Sequence, residues 1–221
     1  MGVLIVVEGL DGAGKRTLSA GLVETWRAAG TSVATLAFPR YGTSIHADLG
    51  AEALRGGHGD TASSVEAMAL LWALDRRESA DELRKLLADN DIVLLDRYVA
   101  SNAAYTAARH GQGASGSAVD WIRDLEFGRF DLPRPDLQVL LRVPVDLAAD
   151  RARGRAATDA TRERDAYERD AGLQARTGAV YDELVQRSWV SPWTVAGPET
   201  DPRQLAVEIS NLLHNGRGVT R

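Results

Sequence analysis

A glycine-rich segment near the amino terminus carries the clearest chemical signal in this chain of 221 residues. It places Gly9, Gly14 and Lys15 in the spacing G-x-x-x-x-G-K, directly after an apolar run that reads as a buried strand. Glycines let successive backbone amides turn toward one point, and a helix beginning at the lysine adds its positive end and an ammonium group. This spacing is that of the P-loop, which binds the phosphates of nucleotide triphosphates. Arg16 stands where serine or threonine is usual, and Thr17 follows it.

The lysine of this segment stands out because lysine is rare in the chain. Of 26 basic residues only Lys15 and Lys85 are lysines, and the rest are arginines. An ammonium is a compact point charge, whereas a guanidinium is a planar fork with fixed donor directions. A lysine kept at this position is therefore consistent with a point charge placed against phosphates.

The elements that must position these residues alternate along the chain. Apolar runs rich in β-branched residues alternate with longer helical patterns, which predicts an α/β protein with a parallel sheet. The predicted strands are 3–7, 32–38, 92–96, 137–143 and 193–196. The predicted helices are 15–29, 45–54, 61–89, 100–109, 117–130, 145–153, 165–186 and 202–213. In such folds ligands bind at the carboxyl ends of the strands, so the loops that follow the strands are where chemistry is expected.

Composition narrows the class of protein further. With 44% apolar residues the chain can form one sizeable core, and we expect a single domain over residues 1–214 with a flexible tail over 215–221. The chain has no cysteine, which excludes disulfides and thiolate metal sites and is compatible with the cytoplasm. A net charge of −5 argues against a nucleic-acid-binding surface. No apolar run approaches the length of a membrane span, and the first apolar stretch is too short for a signal peptide.

The loop after the second predicted strand combines aromatic and basic side chains. Phe38, Arg40 and Tyr41 follow one another closely around Pro39. A flat aromatic ring at this edge can stack on a base, and Arg40 or Tyr41 can reach a phosphate. A phenylalanine at the end of a strand is as often part of the core, and both interpretations stay open.

The third predicted strand ends in a carboxylate, Asp96, at a position from which it can contact Mg²⁺ or a water bound to it. In the helix that follows, Ser101, Asn102 and Tyr105 are three or four residues apart and share a face. The amide of Asn102 can both donate to and accept from a base edge, although a capping or solvent-facing asparagine is the commoner role. The charged stretch 75–77 taken alone favours a solvated helix face.

A dense group of arginines separates two predicted helices late in the chain. Its polarity cannot support a core, so a mobile lid over about 151–166 is expected, which would close on a triphosphate and supply positive charge to the transition state. A charged surface loop with ion pairs such as Arg164–Glu168 is the alternative for part of it. The arginines are Arg151, Arg153, Arg155, Arg162 and Arg164.

Taken together, these motifs resemble the thymidylate kinase family, and most closely its actinobacterial branch. The resemblance rests on segments 8–17, 38–41, 96–105 and the lid ending near Glu168, in the family's order and over nearly the whole chain. The stretch Asp96-Arg97-Tyr98 is the most specific of them. The resemblance implies a P-loop fold with a five-stranded parallel sheet surrounded by helices and an arginine-rich lid. It also implies transfer of a phosphoryl group from ATP to dTMP, with Mg²⁺, in a cytoplasmic homodimer.

The same resemblance assigns roles to individual residues. Phe38 would stack on thymine, Arg76 and Asn102 would hydrogen-bond its edge, and Tyr105 would crowd the sugar's 2′ position. The implied acceptor-binding residues are Asp11, Phe38, Tyr41, Arg76, Arg97, Ser101, Asn102, Tyr105 and Tyr167. The implied ATP-binding residues are Gly9, Leu10, Asp11, Gly12, Ala13, Gly14, Lys15, Arg16, Thr17, Arg151 and Arg155.

The remaining roles concern catalysis and the metal. The P-loop contains no arginine before Lys15, so the resemblance implies a catalytic arginine from the lid. The candidates for it are Arg151, Arg153, Arg155 and Arg162, and our expected catalytic set is Asp11, Lys15, Arg97 and Arg155. Because Arg16 replaces the usual hydroxyl, Asp11, Asp96 and Glu168 are the expected metal ligands.

The chemistry of a monophosphate acceptor agrees with the absence of histidine from these motifs. Its second pKa lies near 6, so it is mostly a dianion at pH 7 and needs no general base. What it needs is alignment and neutralisation of two polyanions. Rival interpretations are a kinase for another pyrimidine nucleotide or deoxynucleoside, and a P-loop NTPase that is not a kinase. The Asn-Lys-x-Asp base reader of GTPases is absent from the sequence.

Overall fold

The buried centre of the molecule is a five-stranded parallel sheet, as predicted. The structure is a computed structural model that describes residues 2–158 and 165–217. The strands are β1 (Val3–Glu8), β2 (Val33–Ala37), β3 (Ile92–Asp96), β4 (Leu137–Leu141) and β5 (Trp193–Ala196). Their order across the sheet is β2-β3-β1-β4-β5, so β1 is central, and all six of its residues are buried. Strands buried on both faces need a continuous apolar run rather than an alternating one, which is what β1 supplies.

Helices cover both faces of this sheet. They are α1 (Lys15–Ala28), α2 (Ile45–Leu54), α3 (Val65–Glu78), α4 (Ala80–Asp89), α5 (Val99–Arg109), α6 (Ser117–Arg123), α7 (Val145–Thr158), α8 (Ala166–Arg169), α9 (Ala171–Gln186) and α10 (Pro202–Arg217). A 3₁₀ turn at Thr61–Ser63 precedes α3, and a π-helical segment at Asp124–Arg129 follows α6. Across the described ranges, no helix has the length and apolarity needed to cross a membrane.

The prediction of one helix over 61–89 is wrong, because two serines interrupt it. Ser64 begins α3 by accepting a hydrogen bond from the backbone amide of Ala67 at 3.1 Å. Ser79 separates α3 from α4, and its hydroxyl donates to the carbonyl of Arg76 at 3.0 Å. A serine that bonds to nearby backbone competes with the helical ladder, so the local sequence contains the reason for both breaks.

Aspartates divide the predicted helix 165–186 in the same way. Asp165 accepts from the amide of Glu168 at the start of α8, and Asp170 accepts from the amide of Leu173 at the start of α9. These are N-cap interactions, which satisfy amides that no helical carbonyl can reach. Similarly, the predicted helix 117–130 is α-helical only to Arg123 and continues as the π-helical segment.

The expected lid begins as a helix rather than as an irregular loop. Helix α7 was predicted to end at 153, but it runs to Thr158 and so includes the first half of the segment 151–166. Arg162 and Arg164 lie outside the described residues, and so does the side chain of Arg155. At the other end of the chain, α10 continues to Arg217, and residues 218–221 lie outside the described part.

The sheet brings the predicted chemistry to one edge. Val7 of β1 pairs with Asp96 of β3, and Glu8 pairs with Leu140 of β4. The P-loop, Asp96 and the start of α5 therefore meet at the carboxyl ends of β1 and β3, where a parallel α/β sheet places its ligand site.

Candidate active site

The P-loop adopts a conformation that requires its glycines. Gly9, Gly12 and Gly14 have φ of 144°, 82° and 104°, a region that side chains rarely tolerate. A Cβ atom at Gly12 would lie 2.0 Å from the carbonyl oxygen of Ala148 in α7. The loop thus packs its backbone directly on α7, the helix that leads into the lid.

Lys15 lies buried under this loop. Its Nζ donates to the carbonyls of Gly9 at 3.1 Å and Leu10 at 2.9 Å. Burial, together with the neighbouring guanidinium of Arg97, lowers the pKa of Lys15 to about 8 despite nearby carboxylates. The ammonium is therefore held by neutral carbonyls, and an anion that reached it would replace weak partners with a strong one.

One cavity of about 820 Å³ joins the P-loop to the loops after β2 and β3. That volume is in the range of small-molecule sites. The residues that line it are Asp11, Gly12, Gly14, Lys15, Arg16, Thr17, Ala37, Phe38, Pro39, Tyr41, Leu54, Trp72, Arg76, Asp96, Arg97, Ser101, Asn102, Tyr105, Arg151, Gly154, Asp165 and Tyr167. Among the predicted site residues with described side chains, those outside this lining are Gly9, Leu10, Ala13 and Glu168, together with the candidates Arg40 and Arg153.

An ion pair in the lining of the cavity joins the P-loop to the segment that follows β3. Arg97 Nη2 donates to Asp11 Oδ1 at 2.5 Å, and the Tyr105 hydroxyl donates to Asp11 Oδ2 at 2.7 Å. Burial alone would raise the pKa of Asp11, but Arg97, Lys15 and the Tyr105 hydroxyl together lower it to about 2. Asp11 is thus a fixed anion that aims Arg97 and Tyr105 into the cavity. Two of the predicted acceptor-binding residues, Arg97 and Tyr105, are therefore held in place by a residue of the P-loop.

The backbone at Arg97 takes an unusual conformation that directs its side chain. Its φ is +66°, uncommon for a residue with a side chain, while its amide still donates to the carbonyl of Val7 at 2.9 Å. Its Nη1 donates to Ser101 Oγ at 3.0 Å. Strained residues of this kind concentrate at functional sites, where the surrounding structure fixes them.

Sequence reasoning assigned no role to Glu8, yet this carboxylate organises the start of α5. It is fully buried and accepts hydrogen bonds from the amides of Tyr98 at 2.9 Å and Ser101 at 3.2 Å. It also accepts from the hydroxyls of Ser101 at 2.5 Å and Tyr181 at 2.9 Å. An anion at a helix N-terminus is stabilised by the free amides there, so Glu8 fixes the helix that carries the acceptor-facing side chains.

At the far end of the cavity lies a second buried ion pair that the sequence did not indicate. Arg76 donates through Nε at 2.5 Å and Nη2 at 2.8 Å to the two carboxylate oxygens of Glu126. Asn102 Nδ2 donates to Glu126 Oε1 at 2.8 Å and to the carbonyl of Ala69 at 3.0 Å. The solvated-face interpretation of stretch 75–77 is thus wrong for Asp75 and Arg76, which are 0% and 3% exposed.

Aromatic rings complete this end. Phe38 is buried, its ring centroid lies 5.8 Å from that of Tyr98, and it also lines the cavity. The two interpretations left open for Phe38 are therefore compatible. Trp72 and Leu54 line the cavity too, and nothing in their local sequence distinguishes them from ordinary core residues.

The neighbouring Arg40 does not reach this cavity, contrary to one of our two expectations for its loop. Its guanidinium pairs with Asp75 at 2.8 Å and with Glu78 at 3.0 Å. It serves to anchor the loop to α3. Tyr41, the other candidate, lines the cavity and is 54% exposed.

The lid side of the cavity is closed by two residues that approach from α7 and α8. Arg151 Nη1 donates to the carbonyl of Ala13 in the P-loop at 3.1 Å. The Tyr167 ring stacks on Tyr105 with centroids 5.8 Å apart, and Arg109 donates to its hydroxyl at 2.5 Å. Arg153 instead pairs with Asp150 on the same helix.

The carboxylates expected to bind a metal differ in what they contact. Asp96 Oδ1 is buried and has no hydrogen-bond partner among the described residues. Both oxygens of Asp11 already accept hydrogen bonds, and Glu168 lies outside the cavity lining. Within the described ranges no three such side chains cluster as a metal cage. One carboxylate beside bound phosphates nevertheless fits Mg²⁺, which seldom uses a cage made of protein ligands alone.

The strand order, the P-loop and the cavity define a P-loop nucleotide-binding protein of the kinase type. Comparison with known proteins identifies the family within this class. The family model described as thymidylate kinase matches residues 7–195. A thymidylate kinase of Mycobacterium tuberculosis H37Rv is 57% identical over 208 residues, covering 94% of this chain and 97% of that protein.

More distant relatives match as well. A thymidylate kinase of Xanthomonas oryzae pv. oryzae is 40% identical over 159 residues, covering 69% of this chain and 62% of that protein. A probable thymidylate kinase of Thermococcus onnurineus is 34% identical over 189 residues, with 84% and 85% covered. The chain belongs to the thymidylate kinase family, and the actinobacterial likeness seen in its sequence is confirmed.

Proposed function

We propose that the chain catalyses transfer of the γ-phosphoryl group of ATP to dTMP, giving dTDP and ADP in the synthesis of dTTP. Family membership supports the reaction. The observation that carries it in this chain is a continuous cavity that joins the P-loop to a pocket of aromatic and base-reading side chains. The donor phosphates and a nucleoside monophosphate fit at its two ends.

At the phosphate end, the P-loop amides and Lys15 bind the donor phosphates. Arg97 faces the acceptor phosphate from the opposite side, aimed by Asp11 and Ser101. The acceptor is already a dianion at pH 7, so the residues have no proton to remove. Their work is to hold the two phosphates in line and to offset their repulsion, which accounts for the cations that converge there.

At the base end, Phe38 stacks on the thymine ring while Arg76 and Asn102 bind its edge. Tyr105 stands between the two ends, with its hydroxyl fixed on Asp11 and its ring against Tyr167. A ring held there occupies the space of a ribose 2′-hydroxyl and so disfavours ribonucleotides. Tyr41 and Tyr167 close the acceptor side.

Mg²⁺ is the metal we propose. Among the predicted ligands, support is strongest for Asp96, whose buried Oδ1 lacks a partner in the described structure. Asp11 and Glu168 remain predictions. When bound, the ion supplies neutralisation of charge on the transferring phosphates.

The catalytic arginine of the lid is best supported at Arg151, because its guanidinium reaches the carbonyl of Ala13 in the P-loop. Arg155, the residue we expected from the sequence, and Arg162 remain predictions. The lid boundaries 151–166 and the single domain 1–214 are likewise part of the proposal. We also propose a cytoplasmic homodimer that binds no nucleic acid.

The test is ADP release from Mg²⁺-ATP with dTMP, dUMP, UMP, CMP, AMP and thymidine offered separately, beside a control without acceptor. We expect a strong preference for dTMP, weaker use of dUMP and almost none of UMP. Preference for thymidine or CMP would contradict the acceptor assignment. ADP release without any acceptor would place the chain among NTPases instead.

A further inference from the structure

The buried carboxylate of Glu126 touches both side chains that face the base, but it does not itself line the cavity. It is 0% exposed and lies in the π-helical segment Asp124–Arg129. The proposed reaction assigns it no contact with either substrate. Its two neighbours, Arg76 and Asn102, come from α3 and α5, so Glu126 joins three parts of the chain at one point.

The contacts of Asn102 fix which way its amide points. Its nitrogen lies between Glu126 Oε1 at 2.8 Å and the carbonyl oxygen of Ala69 at 3.0 Å. Both of these oxygens can only accept hydrogen bonds, so the group between them must be the NH₂. The amide oxygen is left over. Within the described part of the chain it accepts one hydrogen bond, at 3.4 Å from the hydroxyl of Thr106, which leaves its second lone pair available.

The contacts with Glu126 also determine which nitrogen of Arg76 remains available to a ligand. The guanidinium uses Nε and Nη2 on the carboxylate, in the two-pronged geometry that best suits this pair. Nη1 is left over, and no described residue supplies an acceptor for it. The base end therefore offers one acceptor, Asn102 Oδ1, and one donor, Arg76 Nη1.

From this geometry we infer that Glu126 is a positioning residue that sets the donor and acceptor order of the base pocket and thereby selects thymine over cytosine. Thymine presents a donor at N3–H and an acceptor at O4, which complements that order. Cytosine presents an acceptor at N3 and a donor at its exocyclic amine, which opposes it at both points. Uracil shares thymine's edge and is not distinguished by this device. The inference rests on the proposed function.

The experiment compares kcat/KM for dTMP, dUMP and dCMP in the wild type and in Glu126→Gln. Glu126 Oε2 accepts from Arg76 Nε, and Oε1 accepts from both Arg76 Nη2 and Asn102 Nδ2, whereas the amide of the variant has an acceptor at only one of these two positions. At the other position an NH₂ group meets a donor of Arg76 or Asn102, so the donor and acceptor order toward the base is no longer held. We expect the dTMP-to-dCMP ratio to fall at least about tenfold, mostly through the KM for the nucleotide. The dTMP-to-dUMP ratio and the KM for ATP should stay within about twofold of the wild type.

Asp75→Asn is the matched control. Asp75 is also fully buried and paired with an arginine, but its partner Arg40 does not line the cavity. We expect it to lower the melting temperature while leaving the dTMP-to-dCMP ratio unchanged. If Glu126→Gln lowers activity with all three nucleotides by one common factor, the residue is only structural and the inference is overturned.

Removal of the charge at position 126 could prevent folding, because it leaves buried Arg76 without a partner. Glu126→Asp keeps the charge but withdraws the carboxylate by one methylene. We expect it to lower the dTMP-to-dCMP ratio by less than Glu126→Gln does. A ratio within twofold of the wild type in every variant that folds would overturn the inference. A wild type that does not phosphorylate dTMP would instead refute the proposed function itself.

Discussion

The cationic side chains at the two ends of the cavity have different kinds of partner. At the base end, the guanidinium of Arg76 is paired with the carboxylate of Glu126, and both side chains are buried. At the phosphate end, Lys15 and Arg151 donate to backbone carbonyls rather than to carboxylates. Arg97 lies between the two ends and shares Asp11 with a tyrosine.

The difference follows the charge of what each end binds in the proposed reaction. A neutral base needs directed donors and acceptors, and an uncompensated cation beside it would bind water or the wrong anion. Two polyanionic phosphates need net positive charge held in advance, since preorganised charge does not have to be rearranged during the reaction. The base end is thus suited to discriminate between bases, and the phosphate end is suited to stabilise the charge of the phosphates.

The strongest way to break this comparison is to remove the cation at the phosphate end. Lys15→Met should lower kcat/KM for dTMP at least about a hundredfold, because one preorganised charge on the transferring phosphates is lost. Folding should persist, since the lysine satisfies only two carbonyls and methionine fills similar space. The measurement is steady-state ADP release together with a thermal melt. Activity within tenfold of the wild type, with dTMP as the acceptor, would refute the role given to Lys15.

A second change tests the carboxylate that supports both ends through α5. Glu8→Gln should lower the free energy of unfolding by about 2 kcal/mol, because hydrogen bonds to a buried charged acceptor are weakened. For a chain of this size that is a fall of about 4–8 °C in melting temperature. Glu183→Gln is the control, since Glu183 accepts from a single backbone amide, that of Ala114, away from the cavity. Equal shifts for the two variants would show that Glu8 has no special structural role.

The smallest expected effect is the uptake of protons when ATP binds, which tests the lowered pKa of Lys15. With a pKa of about 8 in the free protein, Lys15 is about half protonated at pH 8, and bound phosphates should restore its charge. ATP binding should then take up about half a proton at pH 8 and more at pH 9, measured by calorimetry in buffers of different ionisation enthalpy.

Lys15→Arg is the control for that measurement, because a guanidinium stays charged throughout this pH range. It should bind ATP without proton uptake. The sign for stability follows from the same lowered pKa. The cost of burying the charged lysine is present below pH 8 and is relieved as the pH rises through 8 toward the unfolded-state value of 10.5. Uptake that is equal in the two proteins would show that Lys15 does not titrate there.

The features that the sequence made predictable are local ones. The five strands and the P-loop follow from short apolar runs and from glycines at fixed spacing, and they are found where expected. The serine and aspartate caps that divide helices were also local, and they were missed because apolar periodicity continued across them. At Ser79, for example, the hydroxyl bond to Arg76 decides the break.

The carboxylates that organise the cavity could not be predicted in this way, because their roles depend on distant partners. Glu126 meets Arg76 across 50 residues of sequence, and Glu8 meets Tyr181 across 173. One signal for Glu126 was present. It lies four residues after buried Ile122, on the face of the helix that enters the core, where an acid is out of place unless it has a partner.

The most direct test of the account is whether discrimination and charge stabilisation can be separated. The measurement is the ratio of kcat/KM for dTMP to that for dCMP in the wild type, Arg97→Gln and Glu126→Gln. We expect Arg97→Gln to lower both values by about the same large factor, since it acts on the phosphate that both nucleotides share, and so to leave the ratio unchanged. Only Glu126→Gln should lower the ratio. A ratio that falls as far in Arg97→Gln would contradict the account, because the cavity would then act as one unit.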